Sequence, residues 1–171
     1  MSGSFANRGK GLEDLIKYTN TQYKNLGVAK VQKIDTPKQV IRQGGQITGA
    51  YYTEKSTLDF LGVIKGGLGI AFDAKQTKQP RFPMSSIKQH QIDFMQDWDS
   101  FGGHAFMIIE FTKVGKIFKM DYPYLKNCWD RWKMHKGERG YASLGLDEMV
   151  FNCLEVKQNR SIALDYLTGL Y

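Results

Sequence analysis

Two runs that read as strands, Thr57 to Ile64 and Leu68 to Gln76, are separated only by Lys65-Gly66-Gly67. Glycines can take the positive φ that a tight turn requires, so the pattern predicts an antiparallel hairpin in which residues whose numbers sum to 132 face each other. No other feature constrains the chain as much. It sets Asp59 opposite Asp73, with Cβ atoms roughly 5 Å apart. Like charges across a ladder are destabilising, and a chain that places them there usually sets a cation between them; oxygen-only ligands favour Mg2+ or Mn2+. Lys75 lies two residues beyond Asp73, on the same face of its strand. Its amine could orient and help deprotonate an attacking water while the metal draws charge from a phosphodiester. The same Asp-x-Lys pattern also fits a solvated ion pair on a surface strand. Against that, Asp73 continues Gly69-Ile70-Ala71-Phe72, which reads as an interior strand.

Around this hairpin the chain alternates helices and strands. Leu12, Leu15, Ile16, Thr19, Tyr23 and Leu26 share one face of a helix expected over residues 9–26, which Gly27 ends. Glu13 in its first turn is a further candidate metal or water ligand, although an acid there also simply meets the helix dipole. Ser86-Ile87-Lys88-Gln89 resembles a capping box opening a second helix that carries Gln91. The Gln91 amide could hold a substrate phosphate or the nucleophilic water, or be a capped polar residue on an apolar face. Residues 105–111 and 116–120 read as neighbouring strands, Pro123 suits the first turn of a helix reaching Met134, and the run from Ser161 is expected to be helical.

Residues 35–54 are different in kind. They hold few large aliphatic side chains, and Gly44-Gly45 between Val40-Ile41 and Ile47-Thr48 signals a hairpin, so they are expected to form a two-stranded stalk within a single domain spanning 1–171. From Lys30 to Lys55 the arm and its base carry five positive charges, Lys38 and Arg42 among them, against Asp35 and Glu54.

Several classes drop out. The chain has 24 Lys and Arg against 17 Asp and Glu, a net +7 that suits a phosphate-bearing partner. No apolar run approaches the roughly 18 residues of a membrane span, and the N-terminus lacks a secretory pattern, so a cytoplasmic protein without membrane contact is expected. Cys128 and Cys153 belong to no metal-ligand or redox pair. His90, His104 and His135 are scattered, which leaves no histidine metal site or nucleophilic triad, and the glycines of 62–69 lack the Gly-Lys-Ser/Thr ending of a nucleotide loop.

Laid in order, Asn7-Arg8-Gly9, Leu12-Glu13-Asp14, Thr19-Asn20, Tyr23, Thr36-Pro37, Ser56-Thr57 to Asp59, Phe72-Asp73-Ala74-Lys75, Phe82-Pro83, His90-Gln91-Ile92 and Trp129-Asp130-Arg131 resemble the RecU family of Holliday junction resolvases. The resemblance runs from about Asn7 to Glu148. It implies an α/β, restriction-endonuclease-like mixed sheet flanked by helices with a protruding stalk, Mg2+ as cofactor, and a homodimer cutting symmetric strands of a four-way junction in recombination and repair, with recombination proteins as further partners. Position by position, it makes Asp59, Asp73 and Lys75 the catalytic set, with Glu13 and Gln91 in support. Arg8 then matches an arginine that engages DNA, Tyr52 an aromatic stalk position able to stack on unpaired bases, and Arg42 is nearest to a stalk arginine. Asp73 stands where the family usually has Glu, Leu58 replaces a small polar residue, and the stalk is a few residues shorter. The competing expectations are a nickase or sequence-specific endonuclease on the same core, and a branched-DNA-binding protein without catalysis.

Overall fold

A computed structural model describes residues 10–35, 38–52 and 58–171. In chain order the elements are α1 (Lys10–Asn25), β1 (Ala29–Lys33), β2 (Lys38–Gln43), β3 (Gln46–Tyr52), β4 (Phe60–Ile64), β5 (Gly69–Thr77), β6 (Arg81–Pro83), a 3-10 turn (Met84–Ser86), α2 (Gln89–Ser100), β7 (His104–Phe111), β8 (Lys116–Asp121), α3 (Tyr122–Met134), β9 (Ser143–Gly145), α4 (Leu146–Asn152) and β10 (Leu154–Glu155). Among the described residues no helix is long and apolar enough to cross a membrane.

Six strands form one mixed sheet in the order β1-β4-β5-β7-β8-β10. Neighbours are antiparallel except β5 and β7, which run parallel and are joined through the α2 crossover. The β4–β5 register follows the glycine turn as expected, from Phe60 opposite Phe72 to Val63 opposite Gly69. Alternation along β5 and β7 then builds two apolar layers. Ala71, Met107 and Ile109 face one way, onto Ile92 and Met95 of α2 and Leu125 and Trp129 of α3. Ile70, Phe72, Phe106 and Ile108 face the other, onto Leu12, Ile16 and Tyr23 of α1. On that second face the rings of Phe60, Phe72 and Phe106 stack in a row at 4.9 and 4.7 Å. This is the helix-flanked mixed sheet anticipated above. β2 and β3 pair with each other in a separate two-stranded sheet, turning at Gly44 and Gly45 with φ of 59° and 84°.

Three expectations need correction. α2 begins at Gln89 with Lys88 as its N-cap, and Ser86 belongs to the preceding turn, its hydroxyl donating to Pro83 O. The short β6–β9 pair, Arg81 to Pro83 against Gly145 to Ser143, and the helix α4 were not foreseen. The run from Ser161 is not helical. Asn159 Oδ1 accepts from the backbone N–H groups of Ser161 and Ile162 at 2.9 Å, an alternative to the helical ladder that polar side chains offer. Ile162, Leu164, Tyr166 and Leu167 are all buried against the α1 face of the sheet, a spacing that one helical stripe could not satisfy.

Polar side chains fasten that terminal segment. Tyr23, wholly buried, donates to Asp165 Oδ1 at 2.8 Å and accepts from Leu167 N–H at 3.0 Å. Asn159 Nδ2 donates to the other Asp165 oxygen at 2.7 Å. Tyr23→Phe would strand the Leu167 N–H and remove one donor from Asp165, so it is expected to lower unfolding stability by about 1–3 kcal/mol. Urea titration measures this; a loss under about 0.5 kcal/mol would mean that the Tyr23 hydroxyl does not hold the segment.

Candidate active site

β5 delivers the central acid. Asp73 follows the buried run Ile70-Ala71-Phe72, pairs in register with Met107 of β7, and points to the α2 side of the sheet, where it is 1% exposed. Lys75 projects from the same face and its Nζ forms an ion pair with Asp73 Oδ2. That oxygen nevertheless lacks a properly directed hydrogen bond, so the ammonium meets it as a charge contact. Asp73 Oδ1 accepts from Gln91 Nε2 at 2.9 Å.

Asp59 falls one residue short of β4, in the bend that leads into it, so it is not a ladder partner of Asp73 in the strict sense. The hairpin register still brings the two acids together. Ala74 N–H donates to Asp59 Oδ2 at 3.1 Å, and the Asp59 backbone carbonyl accepts from Ile34 N–H at 2.8 Å. Burial pushes the Asp73 carboxyl up to about 7; the Lys75 ammonium opposes that rise, and the neighbouring Asp59 carboxylate adds to it.

Gln91 reaches this cluster because α2 starts where it does. As the third helical residue, its Oε1 accepts from Lys88 N–H at 3.0 Å, and this leaves Nε2 to face Asp73. Its amide caps the helix and holds an acid at once. Glu13, from the first turn of α1, pairs with Lys33 at the end of β1. That contact raises the Lys33 amine above the usual lysine range, and Asp59 and Asp35 contribute more weakly. Lys33 therefore feels both Glu13 and Asp59. Sequence reading missed it, because nothing in the spacing links positions 13 and 33; only the β1–β4 register, with Lys33 opposite Phe60, sets it beside Asp59.

Among the described residues no three acids, histidines or cysteines gather closely enough to hold an ion on their own. Asp59 and Asp73 form a pair, with Glu13 apart from it. Two carboxylates suit Mg2+, which keeps several waters and takes one or two carboxylates plus substrate phosphates. The undirected, buried Asp73 Oδ2 beside a second acid supplies the hard oxygen donors such an ion needs. The remaining sequence candidates lie elsewhere. Lys38 and Tyr52 are register partners at the base of the β2–β3 hairpin, Arg42 is exposed near its tip, and Arg8 lies outside the described residues. His104 pairs with Asp121 at 3.0 Å and His135 stacks on Tyr141 at 4.2 Å, which accounts for both without chemistry. Cys128 and Cys153 are free thiols.

The family model described as "Recombination protein U" matches residues 7–171. A protein of Pediococcus pentosaceus named Holliday junction resolvase RecU is 38% identical over 133 residues, covering 74% of this chain and 66% of its own length. A protein of the same name from Leuconostoc mesenteroides is 34% identical across 97% of this chain and 81% of its own length. Among solved structures, Archaeoglobus fulgidus Hjc, titled a Holliday junction resolvase, is a remote likeness, with TM-score 0.48 at 9% identity over 84% of this chain and 94% of that one. The family match extends over nearly every residue, and this chain belongs to the RecU family.

Proposed function

We propose that this RecU-family chain is a divalent-metal-dependent endonuclease that resolves four-way DNA junctions as a homodimer, acting as one nuclease domain with residues 35–54 as its stalk. The observation that carries the reading is the carboxylate of Asp73, inserted in the sheet beside a second acid and an amine, with one oxygen left without a directed donor. A buried acid in that setting costs stability, and such costs cluster where chemistry is done. The names of the relatives agree with it.

In this reading Asp59 and Asp73 hold Mg2+, or Mn2+ in its place. When bound, the ion supplies charge neutralisation at the scissile phosphate and acidifies a water. Lys75, beside Asp73, would orient the attacking water and steady the charge that develops on the phosphate. Gln91 keeps Asp73 in one orientation by holding Oδ1. Glu13 acts through Lys33, setting where that cation stands relative to Asp59. Arg8, Lys38, Arg42 and Tyr52 engage the DNA arms and the crossover. Two copies give two cuts, as a symmetric junction requires.

The deciding assay offers a mobile four-way junction and a linear duplex of the same sequence, with Mg2+ and with chelator. Junction cleavage that chelator abolishes is expected; preferential cutting of the linear duplex would turn the assignment to a sequence-specific nuclease. Asp73→Ala is expected to lower cleavage at least ~100-fold while junction binding by gel shift persists. Equal cleavage by both forms would remove Asp73 from the chemistry, and absence of cleavage by either would favour a binding protein. Sedimentation should show a dimer at working concentration.

The raised Asp73 carboxyl also fixes a sign for pH. Its folded value of about 7 lies above the ordinary carboxylate value of 3.8, so between these limits the folded chain holds a proton that the unfolded chain has released. Metal-free protein should therefore lose stability as pH rises from about 4 to 7, and Asp73→Asn should flatten that slope and raise the melting temperature at pH 7.5. Thermal melts in chelator at several pH values measure both; a variant that melts lower than wild type at pH 7.5 would contradict the burial cost.

A further inference from the structure

The β1 edge of the sheet gathers positive charge that the site does not use. Two grooves of about 270 and 250 Å3 adjoin there, sharing Lys24 at the end of α1 and Lys30 of β1. Lys65, from the β4–β5 turn, lines the first, and Lys17 and Lys33 line the second. Among the described residues no acidic side chain lines either one. Lys17 lies 3.6 Å from Asp14 and Lys33 is held by Glu13, but Lys24, Lys30 and Lys65 form no ion pair among the described residues. All three are exposed.

Some cations elsewhere are compensated. At the opposite edge, formed by β10, Glu155 takes Lys116 at 3.3 Å and Lys157 at 3.8 Å. On the α2 and α3 side, Asp93, Asp97, Asp99 and Asp130 together raise the Tyr122 hydroxyl, after burial has done so. A lysine on an edge strand discourages strand addition, and one in a helix's last turn complements its dipole. These two effects explain Lys30 and Lys24 singly, but not their meeting with Lys65, which belongs to neither element.

We infer that Lys24, Lys30 and Lys65 form a track for the phosphodiester backbone of one duplex arm, leading away from the acidic pair along β1. This rests on the nuclease reading and adds the path of the arm to it. Lys33, at the near end of β1, stands close enough to Asp59 to feel its charge. Lys65 N–H donates to Val28 O at 2.8 Å, just before the far end of the strand. At about 3.3 Å per strand residue the track reaches on the order of 10–16 Å from the site. Duplex DNA rises 3.4 Å per nucleotide of each strand, so the lysines would meet phosphates about three to five base pairs from the cut.

The test uses full-length protein in chelator, so that binding is read without cleavage, and follows junction affinity by fluorescence anisotropy across a salt series. The triple variant Lys24→Ala, Lys30→Ala, Lys65→Ala is compared with wild type and with Lys157→Ala from the opposite edge, all checked for equal melting temperature. Each lost phosphate contact removes about 0.9 from the slope of log K against log salt, so the triple variant should be shallower by about 2–3 and Lys157→Ala unchanged. A junction carrying neutral methylphosphonates three to five base pairs from the crossover should weaken wild type but not weaken the triple variant further. If wild type binds with a steep slope and the triple variant matches it, or if the methylphosphonates weaken both equally, the track is wrong and the nuclease reading stands. If wild type does not bind the junction at all, both fall.

Discussion

Asp73 sits in the middle of a sheet strand, between antiparallel β4 and parallel β7, with less of its surface in water than most leucines have. An ionised carboxylate so placed costs several kcal/mol unless neighbours compensate it. The compensation here is incomplete: one amide donor, one ammonium met as a charge contact, and a second acid that acts in the opposite sense. What keeps the acid in place is the strand it rides on. Phe72, next to it in sequence and pointing the other way, stacks between Phe60 and Phe106, so the register that buries these rings also holds Asp73 at the site. The apolar order of one face secures the electrostatic tension of the other.

That second face is closed from two directions, by α1 and by the segment after β10. The lid is fastened by buried polar contacts as much as by apolar area: Tyr23 with Asp165, and Tyr166 with Asn20; the Tyr166 ring also lies 6.1 Å from Phe106. Phe106 thus touches the aromatic row and the terminal lid together. The same α1 that contributes Tyr23 to the lid contributes Glu13 to the Lys33 contact, so one helix ties the C-terminal segment to the edge of the site.

Much of this architecture was legible because it is local or periodic. Gly66 and Gly67 set the hairpin register, period-two alternation separated Phe72 from Asp73, and the 3.6-residue repeat with Gly27 bounded α1. Asp59, Asp73 and Lys75 could be brought together on paper for that reason. What stayed hidden depends on distant partners. Lys33 becomes relevant only through pairing of β1 with β4, and the dual engagement of Gln91 only through where α2 docks. The run from Ser161 reads as helix by composition, yet Asn159 and Asp165 draw its backbone and side chains into other bonds, and no window of sequence shows that competition. Ser86 misled in a similar way: a good capping residue lost to Lys88 because the neighbouring 3-10 turn claimed its hydroxyl.

The amide of Gln91 is committed at both ends, its oxygen to the opening turn of α2 and its nitrogen to Asp73. Helix and acid are therefore registered to each other through a single planar group. A shift of α2 by less than a bond length would loosen one of those two hydrogen bonds. Whatever presses on the outer surface of α2 is, in this sense, within earshot of the Asp73 carboxylate.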